Sequence, residues 1–303
     1  MNPTPSSFPI PIMPIGPGSQ AEDETLDYMV MPSGMATYRP PVLPEREAIA
    51  SLSGAHAALR ATLAALVRVN QGLRADPVDL AGLNEAERQL INQVLGEGEV
   101  AVRVDVPQGE LLIQESVFAG VWRVLGKAAA AGDQAEAPIQ SDHIEVGRMP
   151  LGVTEAAQRL LPAGARRQVS LRPADQHAWP EGVMNAPAIL SELEEAIQAW
   201  RPGRMAHVIN MTLLPLSPAD IAVIDQALGR GPVQMLSRGY GNCRITHTEV
   251  PLCWRVSYFN SQDALILDTV EVTDLPEVAC AAPEDLVDSH ERLADMLQWV
   301  EGA

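Results

Sequence analysis

The chain has 303 residues, enough for one large or two ordinary domains around a sizeable core, and 47% of it is apolar. Its 39 acidic and 21 basic residues leave a formal charge of −18, which excludes a nucleic-acid binder, because phosphate neutralisation needs clustered Lys and Arg. The charge suits a basic partner, and equally it keeps a protein soluble; with no long apolar span and no signal-like start, the expected location is the cytoplasm, without membrane insertion.

Residues 1–46 hold ten of the 25 prolines, with Phe8-Pro9-Ile10-Pro11-Ile12 and the acidic patch Glu22-Asp23-Glu24. Proline at this density blocks helix and central strand, so an extended N-terminal arm is expected. Its Ile, Met and Tyr content points to an arm that lies along a surface, its own fold's or a partner's. From Glu47 to Asn70, Leu52, His56, Leu59, Leu63 and Leu66 recur at helical spacing, and His56 on that stripe reads as a core histidine.

Leu83–Val100 aligns with Leu216–Val233 at a constant offset of 133, with eight identities in eighteen positions. The offset becomes 132 for Gly109/Gly241, Ile113/Ile245, Trp122/Trp254 and Arg123/Arg255. It becomes 126 for Asp142/Asp268, Glu145/Glu271 and Pro150/Pro276. The chain is therefore an internal duplication. In each copy Asn84 or Ser217 caps a helix that Gly96 or Gly229 ends. β-rich runs follow at 100–106 and 110–125, or at 233–236 and 243–260, closed by a strand at 144–146 or 265–272. His207–Leu214 reads as a further strand, Ile189–Trp200 as the helix matching the one near Leu59, and 284–300 as a final helix. The fold class is α+β, two pseudo-equivalent repeats with mostly antiparallel sheets about a pseudo-twofold axis. The boundaries are 1–46 for the arm, 47–164 for the first repeat, 165–184 for a connector and 185–303 for the second repeat. Ala128–Ala137 reads as an exposed insertion.

Residues shared by both copies are most simply explained by the common fold, and residues special to one copy need another reason. Val106-Pro107-Gln108-Gly109-Glu110-Leu111-Leu112 becomes Arg238-Gly239-Tyr240-Gly241-Asn242-Cys243-Arg244. Arg238 and Arg244 supply bidentate donors and the glycines admit close backbone approach, so this turn can grip a carboxylate or peptide carbonyls. The alternative is that both arginines pair with Asp263, Asp268 or Glu271 and only pin a hairpin. Asp142/Asp268 and Glu145/Glu271, present in both copies, read as structural. Cys243, Cys253 and Cys280 are odd in number, lack C-x-x-C spacing and read as free thiols in a reducing compartment. His247 is roughly 13 Å from Cys243 along a straight strand, too far for a thiolate–imidazole pair. No phosphate loop, nucleophile elbow or zinc motif occurs, so no catalytic residue, metal site or cofactor is assigned. The residues favour a binding module over an enzyme.

Arg238-Gly239-Tyr240-Gly241-Asn242-Cys243-Arg244-Ile245, Tyr258-Phe259-Asn260, Leu267-Asp268-Thr269 and Pro276-Glu277-Val278-Ala279 resemble the C-terminal signature of HupH/HyaF-type hydrogenase expression/formation proteins. Met35-Ala36-Thr37-Tyr38 resembles the N-terminal region. The resemblance implies a non-enzymatic maturation chaperone of an uptake nickel-iron hydrogenase. Its expected client is the iron-sulfur small-subunit precursor, with its twin-arginine leader, before export; other maturation accessory proteins are further candidate partners. Arg238, Gly239, Tyr240, Gly241, Asn242, Cys243, Arg244 and Asn260 are the expected contact residues. The competing expectation is a thiol-dependent carrier or enzyme delivering iron, sulfur or a reducing equivalent to the cluster subunit.

Overall fold

A computed structural model describes residues 49, 51–129, 137–159, 170–171, 179–239 and 241–302. The Pro-rich arm, Tyr240, most of the 128–137 insertion and most of the connector lie outside them.

Each copy opens with two helices joined by a carboxylate. In the first copy these are α1 (Ser53–Asn70) and α2 (Glu85–Leu95), separated by the short strand β1 (Val78–Asp79). Asn84 and Glu87 form a capping box at the start of α2, and the other oxygen of Glu87 accepts from the Gly54 N–H at the start of α1, at 2.8 Å. One carboxylate thus satisfies orphan donors of two helix ends. On the apolar face of α1, His56 is buried, and its ring contacts the Ile49 carbonyl at 3.1 Å, as a core histidine should.

Strands β2 (Val100–Val106), β3 (Gly109–Glu115), β4 (Val121–Ala128) and β5 (Ile139–Val146) form a meander, followed by α3 (Leu151–Gln158). The second copy repeats the plan with α4 (Ala186–Ala199), β6 (His207–Asn210), α5 (Pro218–Leu228), β7 (Val233–Ser237), β8 (Asn242–His247), β9 (Cys253–Phe259) and β10 (Leu265–Val272). Ser217 and Asp220 form its capping box, and Asp220 also accepts from the N–H groups of Met184, Asn185 and Ala186 at the start of α4. The chain ends in α6 (Pro283–Glu301).

All ten strands make one antiparallel sheet in the order β1-β5-β4-β3-β2-β7-β8-β9-β10-β6. The order is symmetric about its middle, and at the β2–β7 seam Val102 lies opposite Met235, its own counterpart at offset 133. The expected twofold relation therefore takes the form of edge-to-edge fusion through this pair. One face buries an apolar centre of Val102, Ile113, Trp122, Val124, Met235, Ile245, Trp254 and Val256 beneath α3 and the 277–279 turn. The opposite face carries the other helices near its two ends.

The chain's last helix packs in the first copy, not the second. α6 packs on α1, and Leu286, Leu293, Leu297 and Val300 complete the first copy's core with Leu59 and Leu66. Conversely Leu171, which corresponds to Leu297 at offset 126, is buried with Ile189, Leu190 and Leu193 in the second copy's core. The last helix thus completes the first copy's core, and Leu171 of the connector joins the second's.

Three local expectations are corrected. The runs at 110–125 and 243–260 are each two strands, reversed at Ser116–Gly120 and Thr248–Leu252. In both reversals a hydroxyl, Ser116 Oγ or Thr248 Oγ1, bonds the backbone two residues on, a polar turn hidden within an apolar pattern. Strand β6 stops at Asn210, because its side chain accepts from the Leu213 N–H and bends the chain into the 3-10 turn Met211–Leu213. Helix α3 was not expected from the sequence.

Candidate functional site

The β7–β8 turn lies at one end of the seam between the copies. The Arg238 N–H donates to the Glu99 carbonyl at 3.1 Å, and the Glu99 carboxylate lies over Gly239, where a Cβ would fall 1.9 Å from its oxygen. A side chain at 239 would have to displace the end of this cross-copy carboxylate. Gly109 and Gly241 both adopt positive φ, 148° and 99°. Gly109 is also shut in, with a Cβ position 2.0 Å from the Lys127 carbonyl, whereas the nearest atom to that of Gly241 is 3.7 Å away. Among the described residues, its chain neighbours aside, the second copy keeps the turn and leaves space beside Gly241.

Arg244 stacks on the face of Phe259, 4.4 Å from guanidinium carbon to ring centroid, where the first copy has Leu112 and Lys127. Among the described residues neither Arg238 nor Arg244 forms a salt bridge to Asp263, Asp268 or Glu271. Asp268 belongs instead to Arg255, at 2.6 Å, with Asp225 as a second partner, and the first copy repeats this as Arg123 with Asp142 and Asn92. That motif is shared scaffold. Asn260 accepts from the N–H groups of Gln262 and Ala264, both at 2.9 Å, and so shapes the β9–β10 turn. Asn242 is exposed at the start of β8.

Cys243 points to the other side of β8 from Arg244 and is buried with Tyr258 and Ile245. Burial pushes its thiol up to about 12, against a hydrogen bond with Tyr258 that lowers it, with Glu271 adding to the rise. Cys253, on the opposite face of the sheet in the second copy's core, is likewise pushed by burial to about 12. Cys280 is pushed by burial to about 11, opposed by Arg148. All three are thiols, not thiolates, at neutral pH. Among the described residues, no group of three or more His, Cys, Asp or Glu is placed to hold a metal ion, and no helix is long and apolar enough to cross a membrane.

The model of one family, HupH hydrogenase expression protein, C-terminal conserved region, matches the chain twice, at residues 52–169 and 183–300. The chain belongs to the HupH family. The double match is the duplication that the sheet displays about its seam. The chain is 54% identical over 295 residues to the hydrogenase expression/formation protein HoxQ of Cupriavidus necator, covering 97% of this chain and 99% of that one. It is 44% identical over 297 residues to HupH of Rhodobacter capsulatus, with the same coverages of 97% and 99%. The hydrogenase-1 operon protein HyaF of Escherichia coli is 36% identical over 225 residues, 74% of this chain and 73% of its own. A solved HupH chain from Thiobacillus denitrificans gives a TM-score of 0.36 at 25% identity, covering 38% of this chain and 96% of that one. As a HupH family member, the chain is a hydrogenase expression/formation accessory protein.

Sequence reasoning assigned no role to Glu99 or Glu115, and it read His247 only as too far from Cys243 and Glu271 only as structural. Glu99 has Pro232 as its counterpart at offset 133, so its special role was open to the same comparison that singled out the turn. Glu115 and His247 are counterparts at offset 132, an acid exchanged for an imidazole at one buried position. Glu271 keeps the residue type of Glu145 but not its partners: Glu145 meets His143 and the Leu151 N–H, whereas Glu271 meets the Thr269 hydroxyl.

Proposed function

We propose that the chain is a non-enzymatic maturation chaperone that binds the iron-sulfur small-subunit precursor of a nickel-iron uptake hydrogenase in the cytoplasm, through the turn from Arg238 to Arg244. The observation that carries this reading is the difference between two equivalent turns. The shared glycine is sealed by the chain at Gly109 and, among the described residues, open at Gly241, and the second copy's turn alone has Arg238, Tyr240 and Arg244 in its sequence. Guanidinium groups next to open backbone suit peptide carbonyls and carboxylates. The acidic body, at −18, suits the arginine-bearing leader of an exported subunit. The thiol-carrier alternative is weakened by burial, which keeps Cys243 and Cys253 protonated.

The test is titration of purified small-subunit precursor into the parent and into Arg238→Ala/Arg244→Ala. At least about tenfold weaker binding, about 1.4 kcal/mol, is expected with an unchanged urea midpoint. A lowered midpoint with normal affinity per folded molecule would make the turn scaffold alone. Affinity that does not fall with added salt would remove the electrostatic contribution.

A further inference from the structure

The two outer edges of the sheet occupy equivalent places and are built differently. The first copy's edge, β1, is two residues long, follows Pro77, carries Asp79 and lies against α1. Proline, charge and brevity are the usual means of blunting an edge. The second copy's edge, β6, is a four-residue strand pairing only with β10 among the described residues. Alternate residues of such a strand turn backbone N–H and C=O groups away from the sheet. Its surroundings are apolar: Val208 is 50% exposed on the strand, and Met205 and Leu213 beside it are 94% and 79% exposed.

Carboxylates flank this edge on both faces. Glu192 of α4 reaches His207 at 2.8 Å on one face. On the other, Glu271 is the cross-strand neighbour of Val208. Among the described residues Glu271 has no cationic partner, only the Thr269 hydroxyl at 3.4 Å, and burial raises its pKa. Its counterpart Glu145 has His143 at 3.0 Å and the Leu151 N–H at 2.7 Å, which together hold its pKa down. Among the described residues, the second copy therefore keeps a half-buried carboxylate beside an unpaired strand edge, without the groups that satisfy it in the first.

We propose that β6 receives an extended, basic segment of a client polypeptide as an eleventh strand, with an apolar side chain over Val208 and a Lys or Arg reaching Glu271. An added strand lies about 4.8 Å beyond β6 and about 10 Å from β10, a gap that a long basic side chain spans. Backbone hydrogen bonds supply affinity and the alternating pattern supplies selectivity. The charge of −18 on every copy of this chain opposes edge-to-edge self-association and favours a cationic segment. This inference rests on the reading that the chain binds a polypeptide client, and it adds a surface distinct from the Arg238–Arg244 turn.

The experiment is hydrogen exchange on the full chain, alone and with a short peptide of alternating valine and lysine, and separately with the small-subunit precursor. The peptide is expected to slow exchange at residues 207–210 at least about tenfold at saturation, while a valine–glutamate peptide does nothing. Val208→Lys is expected to abolish the protection. Glu271→Gln is expected to weaken peptide binding several-fold, with unchanged unfolding midpoints checking that both variants fold. The proposal is overturned if residues 207–210 gain no protection from the valine–lysine peptide, or if Val208→Lys keeps it. It is also overturned if their protection grows with protein concentration alone, which would make the occupant a second copy. Protection by the peptide without precursor binding upholds the edge and removes the client reading; precursor binding with residues 207–210 unprotected does the reverse.

Discussion

Glu115 and His247 occupy one position in the two copies, opposite Trp122 and Trp254, and burial acts on them in opposite senses. Desolvation, with Glu99 and Asp285 nearby, lifts Glu115 from 4.5 to about 7, against hydrogen bonds from the backbone of Gly120 and Val100 that pull it down. Desolvation lowers His247 from 6.5 to about 4. The folded pKa of Glu115 is above its unfolded value, so its contribution is complete below pH 4.5 and is lost as pH rises through about 7. The folded pKa of His247 is below its unfolded value, so its contribution is complete above pH 6.5 and is lost as pH falls through about 4. Each displacement is worth about 3 kcal/mol, and across the shared window the two slopes oppose one another. Urea unfolding should therefore be followed across this pH range for the parent, Glu115→Gln, His247→Leu and the double variant. Relative to the parent, Glu115→Gln gains about 3 kcal/mol as pH rises through the window, and His247→Leu gains as much as pH falls. His247→Leu also removes two ring nitrogens that, with Trp254 Nε1, are buried without a partner among the described residues, adding a pH-independent offset. The double variant keeps a near-constant excess over the parent. Offsets that do not change with pH, or that slope the same way, would refute the argument.

Two further predictions concern the joins between elements. Leu293→Ala, in the last helix but buried in the first copy's core, should cost about 2–5 kcal/mol, read from the urea midpoint, and should speed exchange in α1 before α4. Asp220→Ala should lower the midpoint more than Glu87→Ala. It strips the acceptor from Met184, Asn185, Ala186 and Ser217 N–H groups, about 1–3 kcal/mol for each left buried, against Gly54 and Asn84 alone for Glu87.

What was legible in the sequence was written in local chemistry. Asn84 with Glu87, Ser217 with Asp220, and the glycines that end α2 and α5 are short-range signals, and their repetition at a fixed offset exposed the duplication before any coordinates. Asp142 and Asp268 read as structural because both copies keep them, while their pairing with Arg123 and Arg255 on the neighbouring strand was not read from the sequence. The fusion of two sheets into one was not legible, since Val100–Val104 and Val233–Ser237 would alternate in the same way whether paired with each other or left as edges. Nor was the docking of α6 on the first copy, because its apolar stripe fits either copy's helices equally well. At the candidate site, the strand period alone separates Cys243 from Arg244 onto opposite faces, and only the core contents show which face is sealed.

The seam also bears on the proposal that one turn serves a partner and its twin does not. Two hydrogen bonds close the seam, from Asp105 N–H to the Pro232 carbonyl at 2.8 Å and from Arg238 N–H to the Glu99 carbonyl at 3.1 Å. They are counterparts, since the seam keeps the offset of 133 through Asp105, so that Arg238 answers to Asp105 rather than to Val106 as the sequence comparison had aligned it, and Glu99 answers to Pro232. Identical backbone geometry therefore presents a carboxylate at one end of the seam and a guanidinium beside a carboxylate at the other. A polypeptide approaching an otherwise acidic surface meets arginine donors at the second end, where the glycine is also open. Opposite charge at equivalent places on a shared backbone is what a symmetric scaffold needs to bind an asymmetric client in one orientation. Reversing the two charges together, as Asp105→Arg with Arg238→Asp, should leave the unfolding midpoint close to the parent's and abolish precursor binding, because Gly109 remains shut beneath the Lys127 carbonyl. Retained affinity in that double variant would show that charge alone, and not the open turn, selects the client.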